Sequence, residues 1–392
     1  MTGSPFPLIA DIFSAMPDFD KSVDYSRLEQ TTYTRQQVKN LCVAVVGCGA
    51  LGTEAARLLG LLGVGSVLLI DHDVVESTNF THSPYLRAAT ALGRPKAQVL
   101  AEALAAHFPD TEWIALSREI ADIGFARLQR CALLLSCTDN MLARSETCYA
   151  AYRLQLPMMD AGLKGHAFWA GRVAWFPGGS AGCYLCQLGA GRRAELLSLS
   201  LAASQSCSAL APDQKMIPST PTMASIVAAL QVDLGLRFLL TSQAPTEARA
   251  WELSLHLPET TWRSFTIPRS ADCPWHDTDL QVELVRLPMD LPLREFLVAE
   301  DGGTVPLSRV LELDWPICMQ ARCATCQHLW SPMVRMATLR RRVTCPACGG
   351  SRIHSIETLA DVAPSDSAAR LTPDQLGLPP DHLFTVRRPS VP

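Results

Sequence analysis

The sequence predicts an α/β domain built on a mostly parallel sheet with helices on both faces, followed by a small cysteine-rich C-terminal domain. Three observations predict it. Short apolar runs at Val43–Val46, Ser66–Ile70 and Ala132–Leu135 alternate with helical stretches, the pattern of strand–helix–strand units. The first run leads into Gly47-Cys48-Gly49-Ala50-Leu51-Gly52, and the other two end at Asp71 and at Ser136-Cys137-Thr138-Asp139. Far along the chain, two Cys-x-x-Cys pairs lie about twenty residues apart.

Each element follows from local spacing. Residues 1–40 are polar and weakly patterned and read as an N-terminal arm. Residues 41–280 form the α/β domain. After the glycine turn, Leu51, Ala55, Leu58, Leu59 and Leu62 recur at helical spacing. Phe168–Phe176 reads as a strand entered from a glycine-containing turn. Residues 187–218 lack a clear period and read as a long crossing loop, a length usually tied to function. Thr220-Pro221 is a helix start, hydroxyl cap then proline, and the helix to about Leu240 is apolar enough to be buried. Residues 281–362 form the C-terminal domain. The tail at 363–392, rich in Pro, Ser and Asp, is expected to be partly disordered. The sequence shows no internal repeat.

Composition bounds the function. Of 392 residues, 48% are hydrophobic and 18% charged, enough apolar material for a large core and two or three domains. The net charge of -4 gives no basic surplus for nucleic acid or for a membrane surface. No apolar run reaches the roughly 18 residues of a membrane span. The first residues carry no secretory pattern, and Thr2 stands where myristoylation needs a glycine. A cytoplasmic location is expected. The 14 cysteines therefore read as reduced thiols, metal ligands or reactive groups rather than disulfides.

A glycine-rich turn between strand and helix lets the backbone approach a phosphate at the helix N-terminus. An acid about twenty residues on, here Asp71, can hold a ribose. Gly47, Gly49, Gly52 and Asp71 thus say "nucleotide", and a nicotinamide cofactor and a merely structural turn both remain open. The residues that follow favour magnesium-ATP. Asp73 and Asn79 lie just beyond the second strand, Lys96 opens a predicted helix in Gly93-Arg94-Pro95-Lys96-Ala97, and Asp139-Asn140 sit at the end of another strand. Magnesium uses few carboxylates and shares its shell with phosphate oxygens. Lysine neutralises phosphate charge during displacement.

The segment VAVVGCGALGTEAARLLGLLGVGSVLLIDHDVVESTNF, then GRPKA and CTDN, resembles the ThiF/MoeB/HesA superfamily, the activating enzymes of ubiquitin and of sulfur-carrier proteins, over roughly residues 24–280. The resemblance implies a Rossmann-like sheet. It places Gly47, Gly49 and Gly52 at ATP, Asp71 on ribose, Asp73 and Asn79 along the site, Lys96 on the phosphates and Asp139 on magnesium. It also implies that Arg27, in Tyr25-Ser26-Arg27, crosses a two-fold interface into the partner's site of a homodimer; an ordinary surface arginine is the alternative. The sequence departs from the family at Thr81-His82-Ser83, where an arginine is usual. His82 and Arg87 are the candidate replacements.

The resemblance implies a zinc site at Cys183 and Cys186, completed from a second Cys-x-x-Cys. Here that place holds Cys273-Pro274-Trp275-His276, and tetrahedral zinc accepts three cysteines and a histidine; a surface role for His276 is the alternative. Cys323, Cys326, Cys345 and Cys348 have zinc-ribbon spacing without reference to any family. Four thiolates leave no open position, so that zinc is expected to be structural. Arg340-Arg341-Arg342 inside the ribbon reads as a solvated face, with docking of an acidic partner the sharper alternative.

Cys42, Cys48, Cys131, Cys137 and Cys148 lie in apolar or glycine-turn contexts and read as packed. Cys318 is open to either reading. Cys207, in Ser-Gln-Ser-Cys-Ser-Ala-Leu within the crossing loop, is the candidate nucleophile. The family keeps its reactive cysteine in or near this loop. The reading that results is adenylation of the C-terminal carboxylate of a small β-grasp ubiquitin-like protein, thioester formation on Cys207 and transfer to a conjugating enzyme, in an arrangement similar to bacterial ubiquitin-like conjugation operons, antiviral ones included. Adenylation of a sulfur carrier without a thioester, a nicotinamide-dependent oxidoreductase and a non-catalytic scaffold are the alternatives.

Overall fold

The computed structural model describes residues 23–31, 33–163, 170–179, 181–201, 220–241, 249–256, 261–276, 282–298 and 309–387. In the α/β domain the elements run α1 Ser26–Glu29, α2 Arg35–Lys39, β1 Cys42–Val46, α3 Ala50–Leu62, β2 Ser66–Ile70, α4 Lys96–His107, β3 Glu112–Leu116, α5 Phe125–Leu128, β4 Leu133–Ser136, α6 Met141–Leu154, β5 Met158–Leu163, β6 Ala170–Phe176, α7 Tyr184–Gln187, α8 Ala190–Leu201, α9 Pro221–Leu240, β7 Ala250–His256 and β8 Thr261–Ile267. In the C-terminal domain they are β9 Val282–Arg286, α10 Leu293–Leu297, β10 Val310–Cys323, β11 Leu329–Trp330, β12 Val334–Arg335, α11 Met336–Arg342, β13 Ile353–Val362 and β14 Leu383–Arg387.

An eight-stranded sheet, ordered β3-β2-β1-β4-β5-β6-β7-β8, organises the α/β domain. The first five strands are parallel and the last three antiparallel. Every residue of β1, β2 and β4 is buried, because alternate side chains feed two cores. Val43, Val45, Val67 and Leu69 pack on one face with α3, α4 and α9. Ala44, Val46, Leu68 and Ile70 pack on the other with Phe125, Leu128 and Cys148 of α5 and α6. Strand order reverses between β1 and β4, the switch point outside whose carboxyl ends ligands of open α/β sheets bind.

Helix α9 is capped as predicted, with Thr220 Oγ1 accepting the Met223 N–H at 3.2 Å and proline next. Its mean hydropathy of 1.6 over 18 residues would suit a membrane span. It packs instead on α3, β5 and β6.

One expectation, the crossing loop, needs correction, and the arm and the tail gain detail. The N-terminal arm makes specific contacts at Tyr25 and Arg35. Thr34 and Gln37 form a capping box on α2, Arg35 pairs with Asp110 at 2.9 Å and covers the Tyr25 ring at 4.1 Å, and Tyr25 donates to Asp110. The crossing loop begins with helix α8; only its later part, 202–218, lies outside the described residues. Within the tail, Ser367–Arg370 forms a helical turn, and β14 pairs with β9 and β10. Ala368, Ala369, Leu376, Phe384 and Val386 supply part of the C-terminal core with Leu293, Leu297 and Leu311, which is what offsets the cost of ordering so polar a segment.

Candidate functional site

The glycine turn is shaped by close backbone contacts. Gly47 has φ +95°, and a Cβ there would lie 2.8 Å from the Cys137 carbonyl oxygen; a Cβ on Gly52 would lie 1.7 Å from the Gly47 oxygen. Both positions exclude any side chain. Gly49, the N-cap of α3, differs, because a Cβ on it meets nothing within 4 Å. Tight packing beneath and open space above is the shape a phosphate needs at a helix N-terminus.

Asp71 braces this turn. Its carboxylate accepts the Cys48 N–H at 2.7 Å and the Asp73 N–H at 2.8 Å. Burial pushes its pKa up, against the two N–H bonds that lower it. Each oxygen keeps a lone pair for a ribose hydroxyl. Beyond it, Gly93–Pro95 is strapped to the segment after β2: Val75 N–H donates to Arg94 O at 2.8 Å and Gly93 N–H to Val75 O at 2.9 Å. This strap sets Lys96 Nζ 3.0 Å from Asp73 Oδ2. Burial alone would lower the Lys96 pKa; Asp71 and Asp73 outweigh it and hold the ammonium above its ordinary range. Lys96 is thus charged and aimed at the acids beside the turn.

Asn79 is committed in part, since its Oδ1 accepts the Glu76 N–H at 2.8 Å in a capping box. His82 Nδ1 is buried with no partner among the described residues, whereas Arg87 is exposed. Asp139 is exposed at the end of β4. Asn140 has a local task, capping α6 by accepting the Ala143 N–H at 2.8 Å. Arg27 is exposed on α1. Its neighbour Tyr25 stands at Gly63, the C-cap of α3, roughly 20 Å along that helix from the glycine turn at 1.5 Å per residue. The fold therefore gathers Gly47, Gly49, Gly52, Asp71, Asp73 and Lys96. It does not bring Arg27 to the site of its own chain, and Cys207 lies outside the described residues.

A buried ionic network under Asp139 was missed. Arg144 donates to the Thr138 carbonyl at 2.6 Å and the Ala161 carbonyl at 3.2 Å, and pairs with Asp160 at 2.9 Å. Asp160, fully buried, also meets Arg172 at 2.6 Å and Ser136 Oγ at 2.8 Å; Arg172 continues to Glu252 at 3.1 Å. Gln231 of α9 donates to the Ser136 and Met159 carbonyls at 2.9 and 2.8 Å. Together these groups tie the segment after β4 to strand β5. One signal was available: a basic residue near the N-terminus of a helix opposes the macrodipole, so Arg144 needed a nearby acid.

The thiols expected to be packed are so. Cys48 and Cys137 are buried, and burial first, then Asp71 and Cys137 as neighbours, raises Cys48 well above the usual thiol range. Burial pushes Cys137 up to about 12. Cys318, left open by the sequence, is fully buried.

Both predicted metal clusters assemble. Ligand atoms of Cys183, Cys186, Cys273 and His276 all lie within 4.8 Å of one another, and so do those of Cys323, Cys326, Cys345 and Cys348. A tetrahedral ion with Zn–S bonds of about 2.3 Å sets sulfurs about 3.8 Å apart. The first cluster shows 3.6 Å between Cys183 and Cys273 and 3.6 Å from Cys186 Sγ to His276 Nδ1. The second shows 3.6 Å between Cys323 and Cys348 and 3.5 Å between Cys326 and Cys345. His276 is buried, not a surface group. The donors of both sites fit zinc, the first stapling α7 to the segment after β8.

This chain is similar to known proteins over part of its length. The Sulfur carrier protein ThiS adenylyltransferase of Escherichia coli is 32% identical over 153 residues, 39% of this chain and 60% of that protein. The Ubiquitin-like modifier-activating enzyme 5 of Dictyostelium discoideum is 27% identical over 218 residues, 52% of this chain and 54% of that protein. The chain thus spans little more than half the length of these relatives. Among solved structures, E. coli MccB with ATP superposes with a TM-score of 0.47 at 20% identity, over 61% of this chain and 68% of that one. The glycine turn, its acids, Lys96 and the three cysteines of the Cys183–His276 cluster lie within residues 24–275, the span that matches the ThiF family, to which this chain belongs.

Proposed function

We propose that this protein is an ATP-dependent adenylyltransferase that activates the C-terminal carboxylate of a small β-grasp, ubiquitin-like protein. The observation that carries the reading is the charged Lys96, 3.0 Å from Asp73 and strapped beside a glycine turn whose outer face is open. That arrangement suits a polyphosphate. ATP would lie over Gly47–Gly52 with its ribose at Asp71. A carboxylate oxygen of the carrier attacks the α-phosphorus, the bond to the β-phosphate oxygen breaks, and pyrophosphate leaves with both electrons. Lys96 and the N-terminus of α3 balance the negative charge, and most of the acceleration is positioning and electrostatics. A magnesium ion held at Asp139 would supply further charge neutralisation on the phosphates.

The finer steps belong to the same reading. The Cys207 thiolate attacks the acyl carbon, AMP leaves, and the carrier is held as a thioester for a conjugating enzyme. A homodimer would set Arg27 into the partner's site, across the distance that separates it from its own. A cytoplasmic setting with reduced thiols suits the two zinc clusters, and defence against viruses is one role such a conjugation system serves. Similarity to a sulfur-carrier adenylyltransferase supports a second reading, in which the reaction stops at the acyl adenylate. Family membership weighs against the nicotinamide alternative.

Pyrophosphate–ATP exchange with small proteins ending in Gly-Gly tests the first step: carrier-dependent exchange supports it, and none with any carrier sinks it. A non-reducing gel of wild type against Cys207→Ala separates the two readings, since only a thioester gives an adduct that reductant releases and the variant lacks.

A further inference from the structure

The C-terminal domain grips the helix that presents Asp139. Arg335 lies in β12, on the segment between the two ribbon knuckles, and Cys326 and Cys345 close that segment with their sulfurs 3.5 Å apart. Arg335 is only 6% exposed. Its guanidinium meets three carboxylates of the α/β domain: Asp122 at 2.8 Å, Glu119 at 3.1 Å and Glu146 at 3.4 Å. Glu119 and Asp122 flank the turn before α5, whereas Glu146 stands on α6, six residues from the capping Asn140, or about 9 Å along the axis.

The same stripe of α6 is held twice more. Tyr149 OH donates to Asp314 at 2.6 Å, and Arg153 Nε lies 3.5 Å from that carboxylate. Residues 146, 149 and 153 share one helical face. From the same inter-knuckle segment, α11 packs on α8, the helix that enters the stretch containing Cys207. Arg192 of α8 in turn donates to Met141 Sδ, in the first turn of α6, at 3.3 Å.

We infer that Arg335 is a positioning residue for the nucleotide site: through Glu146 it fixes helix α6, and with it the placement of Asp139, from the ribbon-bearing domain. A guanidinium satisfies several carboxylates because its donors form a rigid planar fork. An ammonium is a point charge and cannot bridge all three. Losing the bridge removes the guanidinium from two buried carboxylates, Glu119 and Glu146, and breaking a buried ion pair by taking away one partner is strongly destabilising. Helix α6 then recoils from the C-terminal domain, and its capped first turn moves with it. The link to catalysis rests on the adenylation reading above; the mechanical link does not.

The test compares full-length wild type, Arg335→Lys and Arg335→Met/Glu146→Gln. Hydrogen exchange of the first-turn amides of α6, the Ala143 N–H above all, reads the mechanical link. The magnesium dependence of pyrophosphate–ATP exchange reads the catalytic one. Arg335→Lys should speed exchange of those amides about tenfold, the factor that ~1.4 kcal/mol represents, with β1 and β2 amides unchanged. It should raise the magnesium needed for half-maximal rate by about the same factor, leaving the KM for the carrier alone. Wild-type protection of α6 in Arg335→Lys overturns the inference, as does a uniform loss of protection across the sheet, which would mark a merely structural role. The double variant removes one buried charge together with its partner, and should show the same local loosening of α6. If the wild type catalyses no exchange with any carrier, the functional reading fails and the amide rates still decide the inference.

Discussion

Gly49→Ala separates nucleotide binding from folding. The added methyl meets no atom within 4 Å, and Gly49 already has φ -78°, ψ -154°, which alanine adopts without strain. Alanine is a poorer N-cap than glycine by roughly 0.5–1 kcal/mol, so Tm should fall by about 1–4 °C. The open space over Gly49 is where the phosphates would meet the N-terminus of α3. A methyl there pushes them out by about 1 Å, a displacement that can cost on the order of a hundredfold in rate. The KM for ATP in pyrophosphate exchange should rise at least about tenfold. Gly52→Ala is the contrast. Its methyl would sit 1.7 Å from the Gly47 oxygen and must gain about 1.3 Å to reach even the 3.0 Å floor of real contacts, so it should lose about 1–3 kcal/mol of stability or more along with ATP binding. Wild-type ATP affinity in Gly49→Ala would refute the reasoning, because the space above the turn would then not be the phosphate seat.

Other outcomes follow from the same geometry. Lys96→Ala should lower the exchange rate about 10²–10³-fold, the scale of one lost electrostatic donor, measured at saturating ATP. Burial opposes the Lys96 charge but Asp71 and Asp73 outweigh it; the pair's contribution to stability is therefore fully present below the ordinary 10.5 and is lost as pH rises through the higher folded value. Urea midpoints of wild type and Lys96→Ala should converge there and stay apart at neutral pH. Elemental analysis should find two zinc ions per chain, falling to one in Cys273→Ser and to one in Cys345→Ser; an unchanged count in either would remove that cluster from the metal sites. Cys207→Ala should keep carrier-dependent exchange while losing the reducible adduct, and an adduct surviving in the variant would move the nucleophile elsewhere.

What the sequence shows plainly is what local spacing carries. The glycine turn, Asp71 and Lys96 were readable because strand, turn and helix follow one another, and the metal clusters because each knuckle spans four residues. Long-range polar partners were not. Asp160, Arg172 and Glu252 meet only because β5, β6 and β7 are neighbours in the sheet, which no local pattern states. Arg335 meets Glu119 across more than two hundred residues. Helix α8 was hidden because its Leu-Ser-Leu-Ser-Leu end alternates with the period of a strand. Residues 363–387 read as a tail because proline, serine and aspartate dominate; the few apolar side chains that join the C-terminal core, Phe384 and Val386 among them, are the end of a strand whose partners lie far back in the chain.

The most direct measurement follows an oxygen atom. A carrier whose C-terminal carboxylate bears ¹⁸O is incubated with the protein, ATP and magnesium, the acyl product is released with hydroxylamine, and the AMP is weighed by mass spectrometry. Attack on the α-phosphorus predicts AMP that has gained one ¹⁸O, in step with pyrophosphate. Unlabelled AMP, or ADP in its place, would contradict an acyl adenylate and the account built on it.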